Sequence, residues 1–327
     1  MNGLKRYLGA CLLVLVLGPT AGAATLYVNC GGRSGLTSIG AAVRSLQGVA
    51  AGGPNTIYVA GSCHENLVIK DMDRLTLTAV NGASITDASN GYTDVINVND
   101  SPGFTLNGFT ITAVNANNDG INCNNGSFCR LIGNAVSGGY SGIGVSPLAA
   151  AFVAGGSLEA NTYGLRVLGD VIAAGVSIQG NVAGVLVQDG GKLQFRVSDP
   201  QYDGVDFALP SVSQANQQQG ILAARGATVV CKGCTVSGNG ADGISLDLTS
   251  SLLASPYFYN SGASASTTIA GNAGAGVRVG DLSSATFRGA AVRVAGNGQP
   301  DVACLGATSA TRGATTGIGG GSTNCGN

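Results

Sequence analysis

The sequence predicts an all-β, single-stranded, right-handed parallel β-helix (a solenoid) with a short N-terminal capping helix. Composition is the first observation: 54 glycines and a charged fraction of 10% are foreign to an ordinary helical domain. A repeat is the second. A glycine followed by two aliphatic or small residues at alternate positions recurs as GINC at Gly120, GIGV at Gly142, GLRV at Gly164, GVLV at Gly184, GILA at Gly220, GISL at Gly243 and GVRV at Gly276. Spacing is the third: the intervals are 22, 22, 20, 36, 23 and 33 residues. Four fit a single coil, and the other two equal one coil plus an insertion.

Each match reads as a strand. The first and third residues after the glycine are constrained (Leu165 and Val167, Val185 and Val187, Ile244 and Leu246), while the middle one varies (Asn122, Arg166, Ser245). Alternation with one constrained face is the signature of a β-strand. The same strand returns in every coil, so neighbouring copies must run parallel, about 4.8 Å apart. TVVCKG and TVSGN supply further short strands. Asn161, Asn181, Asn239 and Asn272 stand three or four residues before the repeat glycine, at turns. A turn asparagine tolerates left-handed backbone, and stacked asparagines bond along a ladder. Asp119, Asp189, Asp242, Asp247 and Asp281 read as turn residues too.

The first residues read as an export signal. Lys5 and Arg6 precede YLGACLLVLVLG, and Ala21 and Ala23 offer a cleavage site after Ala23, making residues 1–23 a signal peptide. The apolar run is too short to span a membrane, so the expected location is secreted or periplasmic. Removing the signal takes sixteen basic residues to fourteen, against seventeen acidic ones, for a net charge of −3. That balance has no basic stripe and excludes a nucleic-acid binder. Cys11 leaves with the signal, so nine cysteines become eight. An even count in an exported chain points to disulfides. Local spacing favours Cys30–Cys63, Cys123–Cys129, Cys231–Cys234 and Cys304–Cys325. CKGC at Cys231–Cys234 lies in a repeat strand without a βαβ context, which favours a structural bridge over redox or zinc chemistry.

The stack needs covers. Thr37–Gln47 offers a Thr or Ser cap followed by Ile39, Val43 and Leu46 at helical spacing, a short amphipathic helix for the first coil. The helical stack and this cap occupy residues 24–305. The Gly/Thr/Ser-rich tail, 306–327, loses the pattern, and Cys304–Cys325 would tie it back over the exposed edge.

NTIYVAGSCHENLVI, followed by LTLTAVNGASI, resembles the opening of pectate-lyase-like right-handed β-helix proteins. In those a capping helix precedes T-I-x-V-x-x-G-x-Y-x-E-N-L-x-I and then L-x-L-x-G. Cys63 stands where the aromatic usually is, followed by His64, Glu65 and Asn66. The resemblance extends over most of residues 24–305 and implies the fold. Activity does not follow from it, because the superfamily holds lyases, hydrolases, esterases, epimerases and members of unknown role. The Asn-Thr-Asp, Asp-Asp, Gly-His-Gly and Arg-Ile-Lys stretches of polygalacturonase-type hydrolases do not occur. The Gln-Asp and Arg-Pro-Trp motifs of pectin methylesterases are missing as well, and no lyase signature is readable. His64 is the only histidine and, like Glu65, is read as a residue of the cap region.

The two insertions carry the remaining information. One follows KLQF and spans 198–219; the other follows SLLAS and spans 256–266. Both leave after the second strand of a coil, so both should project from the same side, two coils or about 10 Å apart. Between them the candidate ligand-binding residues are Asp199, Tyr202, Asp203, Asp206, Tyr257, Phe258 and Tyr259. Aromatic rings stack on sugar faces, and carboxylates ligate Ca²⁺ or work as an acid–base pair. The bland alternative is that these side chains fold the loops back onto the stack. Arg196 would pair with Asp199 or meet an anionic sugar. The function expected is binding or modification of an extracellular polysaccharide, the alternative a non-catalytic structural or envelope protein. No organic cofactor is implied; Ca²⁺ is the ion those carboxylates would take. No oligomeric state follows from the sequence.

Overall fold

The computed structural model describes residues 23–47, 53–203, 209–259, 264–306, 310–312 and 323–325. Residues 1–22 of the expected export signal and most of the 306–327 tail lie outside them. Strands stack in parallel throughout, in a 20-stranded sheet and a 10-stranded sheet. The larger sheet forms two faces of the helix, joined by the long bent strands Asn55–His64 and Leu75–Thr86. One coil runs Tyr163–Val167, Asp170–Ala174, Ser177–Gln179, and the next runs Ala183–Gln188, Lys192–Arg196, Val212–Gln214. Among the described residues the antiparallel exception is Tyr257–Phe258 against Ser264–Ala265, inside the second insertion. The chain is a parallel β-helix.

Register explains the repeat. Leu165 pairs with Val185 and Val167 with Val187; those two pair in turn with Ile221 and Ala223, so the long insertion between them causes no slip. All six side chains are fully buried. A one-residue slip would turn the whole set outward, which is why each coil's register is fixed by its neighbour.

The asparagines form a continuous buried ladder. Asn161, Asn181, Asn216, Asn239 and Asn272 each donate their backbone N–H to the Oδ1 of the next asparagine, at 2.9–3.1 Å. Their side-chain Nδ2 groups donate to the same oxygens. The ladder ends at Asn297, whose N–H donates to Asp301 Oδ1 at 3.1 Å. Asn216 stands four residues before Gly220, at the spacing of Asn239 and Asn272, whereas Asn297 follows the last repeat glycine. The same ladder accounts for the repeat glycine. A β-carbon on Gly243 would lie 2.6 Å from Asn272 Nδ2, and one on Gly276 2.6 Å from Asn297 Nδ2. Each asparagine thus covers the glycine of the coil before it.

At the N-terminal end a helix, Ile39–Leu46, buries Ile39, Ala42, Val43 and Leu46. It lies against Thr25–Asn29, Asn55–His64 and Leu67–Lys70. Ser38 is its N-cap, accepting from Ala41 N. Glu65 adds a second cap from the neighbouring coil, accepting from Ile39 N at 2.7 Å, Gly40 N at 3.0 Å and Ser38 Oγ at 2.8 Å. A carboxylate there satisfies orphan N–H groups and complements the helix dipole. His64 donates from Nε2 to the carbonyl of Asp87, at 2.8 Å. Four disulfides join Cys30 to Cys63, Cys123 to Cys129, Cys231 to Cys234 and Cys304 to Cys325. The sulfur-bearing side chains of the middle two are fully buried, so they act as core residues.

Candidate functional site

Five successive strands of the larger sheet build an outward-facing floor: Phe128–Ile132, Ala150–Ala154, Asp170–Ala174, Lys192–Arg196 and Thr228–Lys232. Alternation sends every second side chain outward. One outward column reads Phe128, Ala150, Asp170, Lys192, Thr228, and the next reads Arg130, Phe152, Ile172, Gln194, Val230. Over them lies a cleft of about 600 Å³. Phe128 and Ile172 are 45% and 37% exposed, respectively, whereas Phe152 is 8% exposed. A smaller hollow shares Ala150 and Asp170 and extends to Leu148, which projects at 90% exposure from the preceding turn.

The first insertion makes the opposite wall. Its neck is closed by Ser198 N donating to Leu209 O at 3.0 Å and by Ser211 N donating to Arg196 O at 3.2 Å. A single helical turn, Pro200–Asp203, follows the neck. Asp203 is buried and holds Arg196 in a bidentate pair, at 2.8 and 2.6 Å. Arg130, three strands back, donates to the backbone carbonyl of Asp203. Three strand spacings are about 14 Å, so the turn leans back over the earlier coils instead of standing away from the stack. Arg130 also lies 4.9 Å from the centre of the Phe152 ring, within cation–π range.

The candidate residues divide sharply. The two insertions do lie on one side, and they touch. Tyr257 donates its hydroxyl to Asp199 Oδ2 at 3.1 Å, while Asp199 Oδ1 accepts from Gln201 N at 3.1 Å. Tyr259 meets the Tyr257 ring edge-on, with centroids 5.1 Å apart. Burial raises both phenols above their ordinary value; the hydrogen bond to Asp199 adds to this for Tyr257, and the Asp199 charge for Tyr259. Phe258 is 71% exposed and free to meet a ligand. Tyr202 lies in the helical turn, but its side chain is outside the described residues, as is all of Asp206. Arg196 pairs with Asp203, with its guanidinium 5.8 Å from the Tyr257 ring.

Two consequences follow for chemistry. Among the described residues the carboxylates lining the cleft are Asp170, paired with Lys192 at 3.6 Å, and Asp203, paired with Arg196. Glycoside hydrolysis needs one carboxyl as acid and another as base or nucleophile, and here both already hold cations. As for metals, among the described residues the one group of three candidate ligands is Cys30, Cys63 and Glu65. Its two sulfurs are joined in a disulfide, and Glu65 caps the helix.

A second polar group lies on the smaller sheet. Asp119 and Asp242, read in the sequence as turn residues, also pair with arginines of later coils: Arg166 at 3.2 Å and Arg278 at 2.8 Å. Burial pushes the Asp119 carboxyl above its ordinary range, partly offset by Arg166 and Ser141. Sequence spacing hides these pairs because each arginine occupies the freely varying middle position of a repeat strand. The cleft floor was hidden for a related reason. Its residues belong to the outward positions of the coil's second strand, which the repeat leaves unconstrained.

No protein-family model matches the chain, and no curated protein matches its sequence. Among solved structures it is similar to the A-module of the Azotobacter vinelandii mannuronan C-5 epimerase AlgE4, at 15% identity and a TM-score of 0.46, over 88% of this chain and 100% of that one. The A-module of AlgE6 from the same organism matches at 12% identity and a TM-score of 0.44, over 84% and 90% of the two chains. The catalytic domain of GH87 alpha-1,3-glucanase in complex with nigerose matches at 12% identity and 0.29, over 94% and 70%.

Proposed function

We propose that the chain is an exported β-helix protein that binds an extracellular polysaccharide in the cleft between the floor and the first insertion. The carrying observation is the cleft itself: about 600 Å³, open to solvent, with ring and aliphatic faces beside Arg130, Lys192 and Gln194. Extended ligands suit an open groove crossing several strands, since each coil adds a contact without new secondary structure. Asp199, Asp203 and Tyr257 position the wall, and Phe258, exposed on the second insertion, is offered to the ligand. The Ile39–Leu46 helix closes the first coil, and the disulfides suit an oxidising compartment.

The pairing of both cleft carboxylates supports holding a chain rather than cutting it. A panel of neutral and anionic polysaccharides, each with Ca²⁺ and with EDTA, tests this by scoring binding, new reducing ends and unsaturated ends together. Binding without new ends is expected, undiminished by EDTA. New ends would make the protein an enzyme, and binding to no member of the panel would leave the scaffold as the product.

A further inference from the structure

The cleft sets an apolar floor beside a cation that no carboxylate among the described residues neutralises. Its floor exposes Phe128 and Ile172 and is completed by Ala150, Phe152 and Val230, with no tryptophan or tyrosine among its lining residues. Such a floor takes up apolar surface, whereas hydroxyls are met by a small number of placed polar groups. The charged groups here are Arg130, Lys192, Arg196, Asp170 and Asp203, with Gln194 and Thr228 beside them. Arg130 and Arg196 converge on Asp203, one through its backbone carbonyl and the other through its carboxylate. Arg196 is thus neutralised by the Asp203 carboxylate and Lys192 by Asp170, while Arg130 meets a neutral carbonyl. Among the described lining residues three cations meet two carboxylates, which leaves one positive charge, at Arg130, beside an apolar floor.

Resting on the polysaccharide reading above, we propose that the occupant is an anionic glycan carrying O-acyl groups. Its carboxylate meets Arg130, whose guanidinium is otherwise held by a neutral carbonyl and the Phe152 ring. Its acyl groups lie on Phe128 and Ile172. Charge complementarity selects the anion, and burial of the acyl methyl selects the substituted form. One buried methyl group is worth about fourfold in affinity.

The test compares untreated alginate with the same alginate after chemical O-acetylation, by titration calorimetry on the full mature chain. Acetylation should tighten binding about fourfold or more, and Ile172→Asn should bring the ratio of the two affinities to about one. Ile172 is part-exposed, so the variant keeps the stack; its thermal midpoint checks this. Equal binding of the two polymers would overturn the proposal and leave the polysaccharide reading standing. No binding of either would overturn both. Decanoate bound in the cleft, with both alginates ignored, would assign the site to a free amphiphile and likewise overturn it.

Discussion

The Tyr257 hydroxyl donates to Asp199 across 3.1 Å, joining the second insertion to the first, which leaves the helix two coils earlier. The contact matters because Asp199 precedes the helical turn whose last residue, Asp203, walls the cleft. Val197 and Tyr257 also both crowd Gly233, where a β-carbon would lie 2.8 Å from Val197 Cγ2 and 2.9 Å from Tyr257 Cβ. The corner between the two insertions is therefore filled.

Tyr257→Phe keeps the ring and leaves Asp199 Oδ2 without its donor. The cost is about 1–2 kcal/mol. It should appear locally, as faster amide exchange at Ser198 and Leu209, with the asparagine ladder unchanged. Exchange accelerated evenly through the chain would contradict a local role.

The ladder responds differently. Asn181→Ala removes the acceptor of both Asn161 N and Asn161 Nδ2, and the donor to Leu158 O and Gln179 O. Buried groups left unpaired cost about 1–3 kcal/mol each. A loss of about 3 kcal/mol or more in urea unfolding is expected, and a loss below 1 kcal/mol would show that the ladder is incidental.

Two glycines make a contrast. Gly243→Ala would drive a methyl against Asn272 Nδ2 and Gly276 O, each 2.6 Å away, and should abolish soluble expression. Gly238→Ala has nothing within 4 Å and pays only for its φ of +62°, roughly 1 kcal/mol. Similar behaviour of the two variants would refute the account of the repeat glycine.

Acid sensitivity should report on Asp87. Burial raises its pKa, but hydrogen bonds from Ser89, Asn66 and Gly91 outweigh that and hold it below its ordinary 3.8. A carboxyl with a lowered folded pKa binds fewer protons when folded, so stability rises with pH across this window. Its contribution is fully present above about pH 3.8 and is lost as the pH falls through the lower folded value. The thermal midpoint of Asp87→Asn should therefore fall below that of the parent at pH 6, and the gap should narrow towards pH 2. A pH-independent gap would mean that the carboxylate's charge is irrelevant.

The fold was legible because a β-helix repeats its constraints. Val185 and Val187 are predictable from Leu165 and Val167, since the same core and the same register return each coil. Asn181 was legible as a turn residue that stacks, but not as a cover for the repeat glycine of the coil before. That relation crosses coils and needs the register. The site was legible only to the level of its wall. The insertion after Phe195 marks where the repeat stops. The floor, Arg130 to Val230, sits at positions where the repeat imposes nothing. Asp199 and Asp203 were singled out as charged loop residues, and in space they are consumed by Tyr257 and Arg196. Charge in a loop says that a partner exists, not whether that partner is a ligand or the loop's own neighbour.

The central claim is that the outer cleft, not the insertions alone, holds the polysaccharide. Titrating the tightest member of the panel into the parent, Ile172→Asp and Val68→Asp tests it most directly. Val68 is 63% exposed on the smaller sheet, away from the cleft strands. The account predicts that Ile172→Asp weakens binding at least about tenfold, the equivalent of about 1.4 kcal/mol, while Val68→Asp matches the parent. Unchanged affinity in Ile172→Asp, with the fold intact, would contradict it.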